Sequence, residues 1–69
     1  MNIYASKGDR VKVDNLTSGY LPDQKIAQQY LKLGDVYTVE KTVVYDWNTE
    51  VFLQEIPGVA FNSCFFEDE

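Results

Sequence analysis

The chain has 69 residues, a formal net charge of −5, one cysteine and no histidine. This length fits one domain, spanning residues 1–69, which buries on folding only about 60 % of the surface that the unfolded chain exposes. A disulfide within the chain needs two cysteines and is therefore excluded. The usual structural zinc sites need four cysteine or histidine ligands and are excluded as well. The hydrophobic core therefore has to stabilise the fold alone or together with an associated chain.

Charge is divided unevenly along the chain. Residues 1–34 carry five basic and three acidic side chains, whereas residues 35–69 carry one basic and eight acidic ones. An acidic half repels a phosphate backbone, which disfavours nucleic acid as a partner. The N-terminus lacks the apolar run of a signal peptide, and no stretch is long enough to cross a bilayer. We therefore expect a cytoplasmic protein with no membrane partner.

The predicted elements begin with a short strand in "DRVKVDN", where Val11 and Val13 alternate with charged residues. "NLTSGY" has the composition of a loop. "LPDQKIAQQYLKLGD" then changes to helical spacing, with Pro22 near its start. The residues expected on the apolar face of this helix are Ile26, Ala27, Tyr30 and Leu31. We expect a helix of about two turns that packs on one end of a sheet.

The strongest strand signal is "DVYTVEKTVVYDW", which is rich in valine, threonine and tyrosine. Its alternation directs Tyr37, Val39 and Val43 inward and places Thr42 on the outer face. Lys41 interrupts the inner face, as a bend or a β-bulge would.

A second strand, "EVFLQEI", returns after a tight turn at "DWNT", in which Asn48 is able to take positive φ. Val51 and Leu53 share the core face of this strand. Phe52 then lies among polar residues on the outer face, together with Glu50.

The end of the chain, "PGVAFNSCFFEDE", predicts a turn at "PGV" followed by the closing strand. We expect Phe61 and Phe66 in the core and Phe65 on the surface. Closely spaced strands with turn signals predict a small barrel. The predicted fold is thus mostly β, with about five strands and a short helix in the long first loop.

From "YLKLGDVYTVEKTVVYDW" through "VFLQEI" to "PGVAFNSCFFE", the chain resembles SH3 domains in the order of its features. Leu31, Leu33, Gly34 and Asp35 match the turn that precedes the long hairpin of that family. Trp47 lies close to the position of the tryptophan in the SH3 peptide groove. The resemblance covers roughly residues 31–67 and implies an SH3-like barrel.

The C-terminal part of the chain extends this resemblance to SH3 domains but departs from the SH3 domains that bind peptides. Gly58 resembles the glycine after the distal turn, and "FNSCFFE" resembles the 3₁₀ segment. Asn62 and Phe65 stand where peptide-binding SH3 domains have a proline and a tyrosine, so recognition of Pro-rich peptides is not implied. "LxxGDxYxV" and "FNSxxFE" also resemble small uncharacterised proteins of bacteriophages and Gram-positive bacteria.

Catalytic chemistry has little support in the residue types present. Histidine, the usual proton carrier near neutral pH, is absent, and Cys64 has no histidine to activate it. A cysteine among phenylalanines usually behaves as a small buried hydrophobe. The acidic tail at residues 67–69 is typical of solvated surface rather than of a cation site. We predict no enzymatic activity, no cofactor and no bound metal.

Aromatic residues on the long hairpin form the candidate functional site. Trp47 and Phe52 either pack beneath the loop or form an interface, and neighbouring exposed aromatics are typical of interfaces. The predicted partner-binding residues are Tyr45, Asp46, Trp47, Glu50, Phe52 and Phe65.

These residues lead to the hypothesis of a non-catalytic protein-interaction module, a phage or bacterial accessory protein. The aromatics would supply contact area, and the carboxylates would attract a basic partner protein. A homodimer is another use of the same surface and would add stability. The alternative hypothesis is a nucleic-acid-associated small barrel that uses Lys7, Arg10, Lys12 and Lys41, with Tyr4 or Tyr37 stacking on bases.

Overall fold

Five antiparallel strands and a short helix form the fold, which belongs to the mostly-β class that the sequence predicts. The structure is a computed structural model that describes residues 4–69. The elements in chain order are β1 (Arg10–Val13), α1 (Leu21–Tyr30), β2 (Val36–Val44), β3 (Thr49–Leu53), β4 (Ile56–Asn62), a 3₁₀ turn (Ser63–Phe65) and β5 (Phe66–Asp68). The helix lies in the long first loop, as predicted.

The strands form one sheet in the order β4-β3-β2-β1-β5, and each neighbouring pair is antiparallel. Strand β1 lies between β2 and β5, with Val11 opposite Tyr37 and Val13 opposite Phe66. The last strand therefore pairs with the first. This pairing explains why apolar residues crowd the C-terminal end of the sequence.

The core combines apolar side chains from every strand and from the helix. Its buried members are Ala5, Val11, Val13, Ala27, Leu31, Val39, Val51, Leu53, Phe61, Phe65 and Phe66. The alternation that predicted Val11 and Val13 on one strand and Val51 and Leu53 on another is confirmed. Two core phenylalanine rings, at positions 61 and 66, meet edge to face with their centroids 6.3 Å apart. Their predicted role in the core is also confirmed.

Helix α1 packs on β4 through one side of its surface. Pro22 lies in the first turn, where backbone N–H groups have no partner within the helix. Ala27 is fully buried, and the ring of Tyr30 meets that of Phe61 edge-on at 6.2 Å. Ile26, predicted on the buried face, is 39 % exposed. Since a helix this short is marginal in water, its packing on β4 is what stabilises it.

A bulge in β2 reverses the predicted faces of its second half. The register against β3 shifts between Val39 and Lys41, so the predicted irregularity at this position is confirmed. Beyond it, Thr42 lies opposite the buried Val51, whereas Val43 lies opposite an outer-face residue. Directly opposed residues of antiparallel strands share a face. Thr42 therefore faces the core side and Val43 the outer side, because one extra residue changes the alternation by one step.

The turn after β3 also differs from its prediction. Residues 54–55 connect β3 to β4, and Pro57–Val59, predicted as that turn, lies inside β4. Adjacent residues of β3 pair with Ala60 and Ile56, so the three residues between these two bulge out of the ladder. Gly58 supplies the φ of +82° found in this bulge. Proline and glycine were thus correct signals of irregular backbone but did not mark the end of the strand.

The prediction that Phe65 lies on the surface is wrong, because its side chain is 0 % exposed. The residue ends a 3₁₀ turn, where successive side chains are separated by about 120° rather than alternating across a strand. Its carbonyl accepts a 2.8 Å hydrogen bond from the backbone N–H of Asp14, next to β1. Phe65 is therefore a core residue and not part of a partner-binding surface.

Glu55 connects the β3–β4 turn to the neighbouring strand β2 by hydrogen bonds. Its two carboxylate oxygens accept hydrogen bonds from the backbone N–H of Thr38, at 2.9 and 3.0 Å. Partial burial alone would raise the pKa of this carboxyl. The hydrogen bonds, together with the charge of Arg10, outweigh burial and lower the pKa below its ordinary value.

This arrangement predicts a specific loss of stability in acid. A carboxyl whose pKa is lowered by folding stabilises the protein above its unfolded pKa of 4.5, and this contribution is lost as the pH falls through the folded pKa. We expect Glu55→Gln to lower the free energy of unfolding at pH 7 by about 0.5–1 kcal/mol, a small value because the site is exposed. Urea unfolding between pH 7 and pH 3 should show a shallower decline for this variant, with Glu67→Gln as the control. Identical pH profiles for Glu55→Gln and the wild type would contradict the prediction.

Candidate interaction surface

The turn between β2 and β3 presents the one tryptophan of the chain. The backbone N–H of Tyr45 donates to the carbonyl of Asn48 at 2.8 Å, and Asn48 closes the turn without the positive φ that an asparagine is able to take. Trp47 is 76 % exposed. Its ring stacks on that of Tyr45, with centroids 5.7 Å apart and planes inclined by 19°. Because stacked rings restrict each other's motion, the indole is a positioned apolar surface in contact with water.

Two carboxylates adjoin this aromatic pair. The negative charge of Glu50 and a hydrogen bond to its carboxylate raise the pKa of the Tyr45 phenol. Both effects favour the protonated phenol, and they place Tyr45 beside Glu50 of β3. Asp46, between the two aromatic residues in sequence, is exposed. The residues Tyr45, Asp46, Trp47 and Glu50 are called the tip patch below.

Phe52 lies on the same outer face of β3 as Glu50 but further along the hairpin. It is half-buried, opposite Lys41, whose amino nitrogen lies 4.8 Å from the centre of its ring. The ring forms part of an open groove of about 570 Å³. The residues that line this hairpin groove are Lys7, Glu40, Lys41, Phe52, Leu53, Gln54, Pro57 and Gly58.

The structure thus divides the six predicted site residues among three places. Four of them form the tip patch, Phe52 belongs to the hairpin groove, and Phe65 lies in the core. The sequence pattern placed Trp47 and Phe52 near each other because they lie on one hairpin. It did not show that Phe52 is covered by a lysine from the neighbouring strand.

Three of the four basic residues of the alternative hypothesis, those other than Lys41, have acidic neighbours. The amino nitrogen of Lys7 lies 3.6 Å from a carboxylate oxygen of Glu40. Arg10 is close enough to Glu55 to lower the pKa of that carboxyl, and Lys12 pairs in register with an acidic residue of β5. Acidic neighbours offset the attraction of these cations for a phosphate backbone. The arrangement therefore gives no support to a nucleic-acid surface on β1.

A polar cluster that we did not predict joins the first loop to the 3₁₀ turn. Asn62 accepts a 3.0 Å hydrogen bond from the Cys64 N–H and donates one of 3.3 Å to the Asp23 carboxylate. Asn15 donates to the Cys64 carbonyl at 3.0 Å. Burial and the charge of Asp23 raise the pKa of the Cys64 thiol, which disfavours its reactive thiolate form. An asparagine directly before a short helical turn was the available signal, since asparagine is a preferred N-cap.

Within residues 4–69, no group of three or more histidine, cysteine, aspartate or glutamate side chains is arranged to hold a metal ion. The carboxylates of the tip patch do not form such a group. None of the described helical segments has the length and apolar composition needed to span a membrane.

Comparison with known proteins identifies one family. The family model of bacteriophage T4 protein Y07B matches residues 2–68 of the chain. No curated protein and no solved structure matches it. The family match covers nearly the whole chain and includes both the tip patch and the hairpin groove.

Proposed function

We propose that this chain, which belongs to the bacteriophage T4 protein Y07B family, is a non-catalytic accessory protein that binds a partner protein through the tip patch. We assign its action to the cytoplasm of the infected cell, because the family is a phage family. The observation that carries the proposal is Trp47, which is 76 % exposed while its ring is held against Tyr45.

Burial of the tip patch would supply both affinity and selectivity. Aromatic side chains dominate interface energetics because each can bury about 150–250 Å² at little cost in conformational entropy. Trp47 is already positioned by Tyr45, which reduces that cost further. Asp46 and Glu50 at its border favour a basic partner surface and repel an acidic one.

We also propose that the sheet is an SH3-like barrel. The strand order, the 3₁₀ turn directly before the last strand, and the pairing of β5 with β1 support this assignment. The 3₁₀ turn is engaged by Asn15 and Asp23 of the first loop and helix, and Phe65 is buried. A proline-rich ligand would need exposed aromatic ridges at that turn. The proposed partner contact therefore lies on the tip patch and not beside the 3₁₀ turn.

Capture of partners from a lysate of phage-infected host cells tests the proposed function. We expect Trp47→Ala to lose partner proteins that the wild type retains, because truncation of a central interface tryptophan weakens binding by roughly 30-fold or more. Tyr20→Ala is a matched control, since Tyr20 is 69 % exposed, lies at the start of α1 and is not part of the tip patch. Equal thermal stability of the two variants should show that both are folded.

The outcome that contradicts this function is recovery of the same proteins by the wild type and by Trp47→Ala. A gel-shift assay with single- and double-stranded nucleic acid distinguishes the alternative hypothesis, a nucleic-acid-associated barrel, from the proposed protein-binding function. Binding that falls steeply with salt would support the nucleic-acid barrel instead. We expect no shift, given the net charge of −5.

A further inference from the structure

The hairpin groove combines an apolar floor with positive charge. Phe52 and Pro57 supply apolar surface, and two lysines border the opening. Lys41 forms no ion pair within residues 4–69, and its amino group lies over the Phe52 ring. Lys7 is ion-paired with Glu40, but 69 % of its side chain is exposed. The groove therefore fits an aromatic side chain that has a carboxylate next to it.

The chain itself presents such a group at the other end of the same hairpin. Trp47 is the most exposed of its described large hydrophobic side chains, and Asp46 precedes it directly. Glu50 lies on the outer face of β3, two residues from Phe52. The tip patch and the hairpin groove thus have net charges of opposite sign and lie along the same hairpin.

We propose that two copies of this chain associate through these surfaces, with the tip patch of each copy in the hairpin groove of the other. The inference rests on the proposed function in one respect, because the same tip patch would bind the partner protein. Self-association would then cover Trp47 and compete with partner binding.

A two-fold axis accounts for both contacts at once. When two identical hairpins lie face to face and antiparallel, the turn of each reaches the far end of the other. Trp47 of each copy would then lie beside Phe52 of the second copy, and Asp46 would approach the Lys41 amino group above that ring. Two contacts related by symmetry form a closed dimer rather than an open chain of molecules.

The expected dimer is weak. Two copies of Tyr45, Trp47 and Phe52, each already partly covered, fall short of the roughly 1,600 Å² of a standard stable interface. A concentration-dependent equilibrium therefore follows, in which the free monomer exposes the tip patch. Dilution, or a partner that binds the tip patch, would release that monomer.

Sedimentation equilibrium of the purified protein over a wide concentration range tests the proposal. We expect reversible dimerisation of the wild type, weakened at least about 30-fold by Trp47→Ala. Lys41→Glu should abolish dimerisation because it places a carboxylate against Asp46. Lys25→Glu makes the same charge change on the exposed side of α1 and should leave dimerisation unchanged. A wild type that stays monomeric at every concentration would overturn the inference.

A mixing experiment distinguishes this pairing from general charge effects. Lys41→Glu and Asp46→Lys should each be monomeric alone, because both contacts of either homodimer are repulsive. Mixed in equal amounts, they should form a heterodimer in which both contacts join opposite charges. If the thermal transition of each variant shows that it is folded, absence of a heterodimer would overturn the assigned pairing.

The two proposals fail in different ways. The Lys41→Glu variant keeps the whole tip patch, so it should still capture the partner protein from infected-cell lysate. Capture without any dimer of the wild type overturns the inference and leaves the proposed function standing. A dimer that follows the mixing pattern, with no partner lost on Trp47→Ala, supports the inference and contradicts the proposed function.

Discussion

Replacing Phe65 with alanine is expected to lower the free energy of unfolding by about 3–5 kcal/mol. The side chain is 0 % exposed and lies at the point where the 3₁₀ turn meets β5. Its removal leaves a cavity next to the pairing of the last strand with the first. A chain of 69 residues has a total stability of roughly 3.5–10 kcal/mol. The loss is therefore about 30 % of the total or more, and at the lower end of that range a large fraction of the variant should be unfolded at 37 °C.

Phe52→Ala is the matched control for this prediction. It makes the same chemical change at a half-buried position on the outer face, where the Lys41 amino group lies 4.8 Å from the ring centre. We expect a loss of about 1 kcal/mol, because half-burial contributes only part of the 1.5–3 kcal/mol of a fully buried side chain. Urea unfolding followed by far-UV circular dichroism measures both variants. Similar losses for the two would contradict the assignment of Phe65 to the core.

Gly19→Ala is expected to destabilise the fold by at least about 1–2 kcal/mol, through two effects that can be separated. The first is backbone conformation, because Gly19 has a φ of +77°, which costs an alanine that amount. The second is crowding, because an added Cβ would lie 3.2 Å from the Cys64 sulfur and 3.8 Å from the Asn62 amide nitrogen. Both neighbours belong to the polar cluster that holds the first loop on the 3₁₀ turn.

Gly58→Ala isolates the backbone effect, since its φ is +82° and no described atom lies within 4 Å of the added Cβ. We expect Gly19→Ala to be the more destabilising of the two in urea unfolding. Adding Cys64→Ala to Gly19→Ala should recover part of the difference, because the smaller side chain makes room. Equal losses at the two glycines, with no recovery in the double variant, would show that the first loop is not packed against the 3₁₀ turn.

Alternation along single strands was sufficient to predict most of the fold. Val11 and Val13 on β1, and Val51 and Leu53 on β3, follow a period of two without interruption, and all four are buried. The proline at the start of the helical segment correctly predicted where α1 begins. These signals are local, so they needed no knowledge of which strand pairs with which.

The wrong predictions occur where the backbone departs from regular geometry. The bulge in β2 exchanged the faces of Thr42 and Val43, and the 3₁₀ turn gave Phe65 a direction that strand alternation does not predict. In "PGV", the turn residues produced a bulge within β4 because the actual turn formed earlier, at residues 54–55. Each of these outcomes depends on pairing with a distant strand, which the local pattern does not contain.

The candidate site, like the fold, was predicted only in part. Trp47 was identified because a large aromatic at a tight turn has little core to join, and its exposure agrees with that reasoning. The hairpin groove was not predicted, because it joins Lys41 of β2, Phe52 of β3 and Pro57 of β4. Its chemistry arises from strand order and register rather than from any one segment.

The bulge at Pro57–Val59 has a consequence for the behaviour of the protein at high concentration. Among residues 4–69, β4 is a terminal strand of the sheet and has β3 as its one hydrogen-bonded neighbour. An unpaired strand edge can recruit strands from other molecules and start aggregation. Three residues that leave the ladder, one of them a proline without an N–H, interrupt that edge. The bulge thereby protects the sheet from uncontrolled strand addition.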